Sequence, residues 1–330
     1  MVSVFGKMRQ YLAMHTKMEL TSEQKISLER KVHYIEGRVY QNLFLPIALR
    51  KAQAYAGENG YVATMSDLLF WRTHSTNRDL ESCLFTALSE EVVGTTHQGN
   101  EVVVVTHGGG LLTSERIEQS YRKGLTSSYV ARFTDAEMQG LLAGKCADGT
   151  EIPVFSYQDF VEKSNTPRRY SIVLDFDIVK NLPSDLQDAD SFKSNPLFIA
   201  RAGGEKIAAE FVDAIKVRYS VIPLTPQFVN SILKLLPRQF HSEIPQLTSH
   251  LTSTHILQLR NQHRFGSIDS RVPQGYVLYL DRINDGLNGH FNSCRDSRFV
   301  AVVASEVARE HVSTADLPAF EEEVTKLSEK

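Results

Sequence analysis

The fold class is decided by Val102-Val103-Val104-Val105-Thr106-His107-Gly108-Gly109-Gly110. Four consecutive valines show no polar alternation. They read as a strand buried on both faces, the pattern of a parallel sheet. The run ends in a threonine, a histidine and three glycines. Thr113-Ser114-Glu115 then offers an N-cap and first turn for an amphipathic helix containing Ile117 and Tyr121. A strand, a glycine-rich turn and a helix in succession are how many α/β proteins build a ligand site.

Upstream of this run, Glu90 to Thr96 and Glu101 to Thr106 read as the arms of a hairpin around His97-Gln98-Gly99-Asn100. Downstream, apolar strands and periodic helices alternate. Thr134-Asp135-Ala136-Glu137 is a capping box whose helix stops near Gly144. Tyr170 to Val179, Leu197 to Ala200, Tyr219 to Leu224, Tyr276 to Leu280 and Phe299 to Ala304 read as strands. Nearer the start, Thr21-Ser22-Glu23-Gln24 resembles a second capping box. It opens a helical pattern through Ile26, Leu28, Val32 and Ile35, and further helices are expected over Leu43 to Tyr55 and from Ser66. The expected fold is α/β: a mostly parallel sheet flanked by helices, with an N-terminal helical section and an antiparallel edge hairpin. The expected divisions are a helical section over 1–75 packed on the main domain, an α/β domain over 76–315 with a helical insertion around 236–272, and a C-terminal helix over 316–330.

Bulk properties narrow the function classes. The chain has 330 residues, 42% hydrophobic and 23% charged, which is ordinary globular composition with ample length for a core. Lys and Arg total 36 against 39 Asp and Glu, a formal net charge of −3, so no nucleic-acid partner is expected. The three cysteines, Cys83, Cys146 and Cys294, are far apart and odd in number. They suggest neither a disulfide framework nor a zinc site, and a cytoplasmic setting is expected. No stretch approaches the ~20 apolar residues of a membrane span. No metal site or cofactor is assigned, and the oligomeric state is left open.

Four expected strands end in polar or glycine-rich turns: at His107-Gly108-Gly109-Gly110, at Asp175-Phe176-Asp177, at Arg201-Ala202-Gly203-Gly204 and at Asp281. In a parallel sheet these ends share one edge, where ligands bind. Backbone N–H groups of Gly108, Gly109 and Gly110 would hold a small anion, helped by the following helix N-terminus. Arg201, with Gly203 and Gly204, would clamp it. His107 is the expected acid/base, because a modest pKa shift places it near neutrality. Asp175, Asp177 or Asp281 would orient His107 or hold a cation. A binding protein or enzyme for a small anionic molecule is therefore the first functional expectation. A non-catalytic interaction or structural protein, with the glycines as packing devices, is another.

Two short resemblances add alternatives. His107-Gly108-Gly109-Gly110 is similar to the oxyanion loop of lipase- and esterase-type α/β-hydrolases, which implies serine-based ester hydrolysis. That family's Gly-x-Ser-x-Gly elbow is not found in the chain. Val173-Leu174-Asp175-Phe176-Asp177 resembles the first motif of haloacid-dehalogenase-type phosphotransferases. The resemblance implies Asp175 as nucleophile, Asp177 as general acid/base and a nearby magnesium ion, in a phosphotransferase or phosphatase.

Overall fold

The structure, a computed structural model, describes residues 21–30, 33–42, 45–58, 60–74, 84–122, 131–163, 166–180, 192–220, 271–280, 287–290 and 297–304. Of the strand expected over Tyr219 to Leu224, Tyr219 and Ser220 are instead the end of a helix, and residues 221–224, most of the insertion around 236–272, Asp281 and the C-terminal helix over 316–330 lie outside the described residues.

The elements that carry the interior begin with β4, Phe85–Thr95, and β5, Glu101–His107. They form the expected antiparallel hairpin, from Thr95 opposite Glu101 to Ser89 opposite His107. Before them in the chain come β1 (Thr21–Arg30), β2 (His33–Asn42), α1 (Leu45–Ala56), β3 (Gly60–Val62) and α2 (Met65–His74). After them come α3 (Ser114–Arg122), β6 (Ala131–Arg132), α4 (Asp135–Leu142), β7 (Val154–Ser156), α5 (Tyr157–Val161), β8 (Tyr170–Asp175), α6 (Phe176–Lys180), α7 (Pro196–Ala202) and α8 (Glu205–Ser220). Three more strands follow: β9 (Gln274–Leu280), β10 (Leu287–His290) and β11 (Ser297–Ala304).

Two sheets result. One has four strands in the order β1-β2-β11-β3; the other has seven, in the order β10-β9-β4-β5-β8-β7, with β6 also paired to β9. Every described strand pairing is antiparallel except that of β7 with β8. The expected mostly parallel sheet is therefore corrected to a mixed, largely antiparallel one. The valine run misled about direction for a physical reason. Val102, Val103, Val104 and Val105 are indeed buried, because β5 lies between β4 and β8 with packed material on both faces. An unbroken apolar run reports burial on two sides, and only usually does that mean parallel neighbours.

The N-terminal helical section is corrected in its first part, while the helices expected over Leu43 to Tyr55 and from Ser66 are present as α1 and α2. Thr21 to Asn42 forms the β1–β2 hairpin, and β2 pairs with β11, 255 to 269 residues further along the chain, from Ser297 opposite Asn42 to Ala304 opposite Ile35. Distant pairing overrides a local capping signal, as is common for strands. Leu197 to Ala200, read as a strand, belongs to helix α7. Asn195 caps it by accepting the Phe198 N–H, and Pro196 occupies the first turn. The strand expected over Tyr170 to Val179 ends at Asp175, where α6 begins. Local chemistry held elsewhere: Thr134 and Glu137 form a reciprocal capping box at the start of α4.

The core runs continuously through both sheets and the helices packed on them. It includes Trp71 of α2, Leu111, Leu112, Ile117, Phe192, Phe198, Phe211, Tyr276 and Phe299.

Candidate functional site

Antiparallel pairing decides which candidate residues meet. In the β5–β8 ladder, Val102 faces Asp175 and His107 faces Tyr170. Asp175 therefore lies at the opposite end of the strand pair from His107. Five residue steps at about 3.4 Å put them roughly 17 Å apart along the sheet. The structure does not bring the two aspartates to the glycine turn. Instead Asp175 accepts the Asp177 N–H at 2.8 Å and starts α6, and both side chains are exposed. Among the described residues, no group of three or more His, Cys, Asp or Glu is placed to hold a metal ion.

His107 and Arg201 do come together, but in the interior. His107 has no exposed surface. Its Nε2 lies 2.9 Å from the Ala200 carbonyl of α7, and its Nδ1 lies 2.9 Å from Ser89 Oγ of β4. A carbonyl only accepts, so Nε2 carries the proton and Nδ1 accepts from the Ser89 hydroxyl. Ser89 Oγ in turn accepts the Met65 N–H of α2 at 3.0 Å. The ring stacks obliquely on Tyr170, with centroids 5.0 Å apart. One neutral imidazole thus ties β5 to β4, α2 and α7, and neither ring nitrogen faces an open cleft.

Burial pushes the His107 pKa down to about 4, against a partial pull upward from the Ala200 carbonyl and Asp67. The ordinary value is 6.5, so between the two values the unfolded chain binds a proton that the folded chain refuses. The stabilisation is complete above pH 6.5 and is lost as pH falls towards 4, on the order of 3 kcal/mol over the window. Chemical denaturation across that range should show the stability gap between the native protein and His107→Gln shrinking as the solution is acidified. A gap independent of pH would contradict a neutral buried imidazole.

Arg201 is fully buried on α7 and paired to Glu91 of β4. Nε lies 2.5 Å from Glu91 Oε2 and Nη2 lies 3.1 Å from Oε1. The Tyr276 hydroxyl of β9 accepts from Arg201 Nη2 at 3.1 Å and donates to Glu91 Oε1 at 2.9 Å. Burial pulls the Arg201 pKa down, but the Glu91 carboxylate and then Tyr276 outweigh it and raise it above the ordinary value. Burial also lifts the Tyr276 phenol well above its ordinary range, and the Glu91 charge adds to this. Gly203 ends α7 in the left-handed region at φ 81°, and Gly204 follows at φ 147°. Both glycines thus turn the chain from α7 to α8. A Cβ at 203 would overlap Ser66 Oγ and come within 3.0 Å of the Tyr170 hydroxyl.

The N–H groups that meet a carboxyl group at the glycine turn are those of Leu111 and Leu112, not of the three glycines, and the carboxyl belongs to the chain itself. Glu90 of β4 points to the opposite face from Ser89 and Glu91 and is buried. Its Oε1 accepts the Leu111 N–H at 2.6 Å and its Oε2 accepts the Leu112 N–H at 2.8 Å. Gly108 and Gly109 have φ of 83° and 95°, and at 110 a Cβ would overlap the Glu90 carboxylate. From outside, Arg169 Nη2 donates to the Gly109 carbonyl at 3.2 Å, and the Ala147 N–H donates to the Gly110 carbonyl at 2.9 Å. Burial lifts the Glu90 pKa from 4.5 to about 7, partly opposed by the Leu111 and Leu112 N–H groups and by Arg169.

Ser89, Glu90, Glu91 and Tyr276 did not figure among the candidate residues. A signal was present: Ser-Glu-Glu stands inside the otherwise apolar β4, between Phe85-Thr86-Ala87-Leu88 and Val92-Val93. Carboxylates in such a strand require buried partners.

The arrangement of mixed sheets with helices packed about them is similar to the C-type lectin fold. More particularly, the chain is similar to a solved structure described as the accommodation of massive sequence variation in Nanoarchaeota by the C-type lectin fold. The TM-score is 0.53 and the identity 20%, covering 86% of this chain and 100% of that chain. This likeness, like the strand directions, overturns the parallel α/β reading. No protein-family model matches the chain, and no curated protein matches it. No described helix is long and apolar enough to cross a membrane.

Proposed function

We propose that this chain is a non-catalytic binding protein that presents a recognition surface on a C-type lectin scaffold. The observation that carries the reading is the fold, shared with a structure described by its accommodation of massive sequence variation. The interior supports it. The side chains best suited to chemistry, His107, Glu90, Glu91 and Arg201, are turned on other parts of the same chain. A scaffold whose rigidity comes from internal polar clamps leaves its exterior free to change. Recognition by such an exterior needs no activated group.

A paired screen tests this on the full chain. Immobilised protein is exposed to glycan and protein arrays, and in parallel to ester and phosphoester substrates with and without magnesium. The expected result is saturable binding to one macromolecular class, retained by His107→Gln and Asp175→Asn, with no turnover. Turnover of an ester or phosphoester that either variant abolishes, while its fold persists, would replace this reading with an enzymatic one.

A further inference from the structure

We propose that the outer edge of β1 pairs with β1 of a second copy of this chain, antiparallel about a two-fold axis that passes through Ser27 normal to the sheet. Among the described residues β1 closes the four-stranded sheet, with β2 on its inner side and no strand on its outer side. The edge is ten residues long, roughly 34 Å, and contains neither proline nor glycine. Sheet edges left alone are ordinarily short, or interrupted by such residues, because their N–H and C=O groups recruit another strand.

The occupant follows from the register, because the strand is complementary to its own reverse. An axis through Ser27 sets Lys25 opposite Glu29, Ile26 opposite Leu28 and Gln24 opposite Arg30, and the symmetry makes each match twice. Directly opposed positions of antiparallel strands share a face, and opposite charges or apolar residues placed so are favourable. Neighbouring registers are worse. An axis through Ile26 sets Glu23 opposite Glu29, and an axis through Leu28 sets Ile26 opposite Arg30. The apolar matches also continue a row already present in the sheet. Gln24 and Leu28 stand opposite Val39 and Ile35 of β2, and Val39 stands opposite Val300 of β11. Val39, Val300 and, two positions on from Val300, Val302 are buried. Positions 26 and 28 therefore lie on the face that the core covers, and the two-fold axis carries that row into the second copy. Two four-stranded sheets become one continuous sheet across the axis.

Sedimentation of the full chain over a concentration series, up to on the order of 100 μM, tests the pairing. The unsubstituted chain should pass from monomer to dimer. Lys25→Glu and Glu29→Lys each oppose like charges at both matches, and each should weaken association by about tenfold. The chain carrying both substitutions should associate within about threefold of the unsubstituted one. So should an equal mixture of the two single variants, since each supplies the charge the other lacks. A monomer throughout the series, a dimer indifferent to both reversals, or a mixture that associates no better than its parts overturns the proposal. Should the variants lose their circular-dichroism signal, hydrogen exchange of the unsubstituted protein decides. Amides within positions 24–30 should exchange more slowly as the dimer accumulates, while those of Val103 and Val104 stay unchanged. Exchange at positions 24–30 that does not depend on concentration overturns the proposal.

Discussion

Arg201→Met lowers the unfolding free energy by about 4 kcal/mol, because it leaves the Glu91 carboxylate in the interior without its cation. Both members of the pair are without exposed surface. Removing the guanidinium deletes two hydrogen bonds to Glu91 and one to the Tyr276 hydroxyl, while Tyr276 alone still donates to the carboxylate. The remaining charge has no water to turn to. Glu91→Leu should cost a similar amount by stranding the guanidinium. The double variant should recover most of the loss, since an apolar pair of similar volume carries no unpaired charge. Tyr276→Phe should cost less, about 2 kcal/mol, as the hydroxyl's hydrogen bonds from Arg201 and to Glu91 are lost while the ion pair stays. Denaturant unfolding of the four variants checks this. If the losses from Arg201→Met and Glu91→Leu simply add in the double variant, the pair does not act as a unit.

The three glycines after His107 should respond unequally to alanine. At Gly110 the added methyl displaces the Glu90 carboxylate from its two N–H donors. The expected loss is about 3 kcal/mol, from an unpaired buried acid together with the steric shift. At Gly108 the Cβ would come within 2.6 Å of Arg169 Cγ and 3.0 Å of the Arg168 carbonyl, at a φ of 83°. About 2 kcal/mol is expected, from dihedral strain with partial relief by the Arg169 side chain. At Gly109 the nearest atoms are 3.8 Å away, so only the positive φ remains, at about 1 kcal/mol. Thermal or denaturant midpoints should order the variants as Gly109, Gly108, Gly110 from mildest to worst. A loss at Gly110 no greater than that at Gly109 would mean that the contact with Glu90 does not matter to the turn.

Features that depend on residues close in sequence were legible. The hairpin around Gly99, the capping box at Thr134 and the burial of the valines follow from short-range pattern, and the structure shows each of them. What depends on pairing between distant residues was not. Nothing within Thr21 to Asn42 announces that its partner is Ser297 to Ala304. Nothing in Val102 to Val105 states which way β8 runs beside it. That direction separates His107 from Asp175, so the error in the candidate site was inherited from the error in topology. The glycine turn is the mixed case. Its sharp bend follows from glycine. What its following N–H groups meet depends on Glu90, 20 residues before Gly110 and visible only as an unexplained acid in an apolar strand.

Three neighbours in β4, Ser89, Glu90 and Glu91, engage three different parts of the molecule. Sliding β4 by a single position would turn Glu90 towards Arg201's side and Glu91 towards the glycines, and it would carry Ser89 away from the imidazole. All three matches fail at once, so the sheet has one reading frame, and the runner-up frames are separated from it by several mismatches rather than one. None of these keys is displayed on the outside. A chain built this way can have its outer surface rewritten extensively and still find the same frame when it folds.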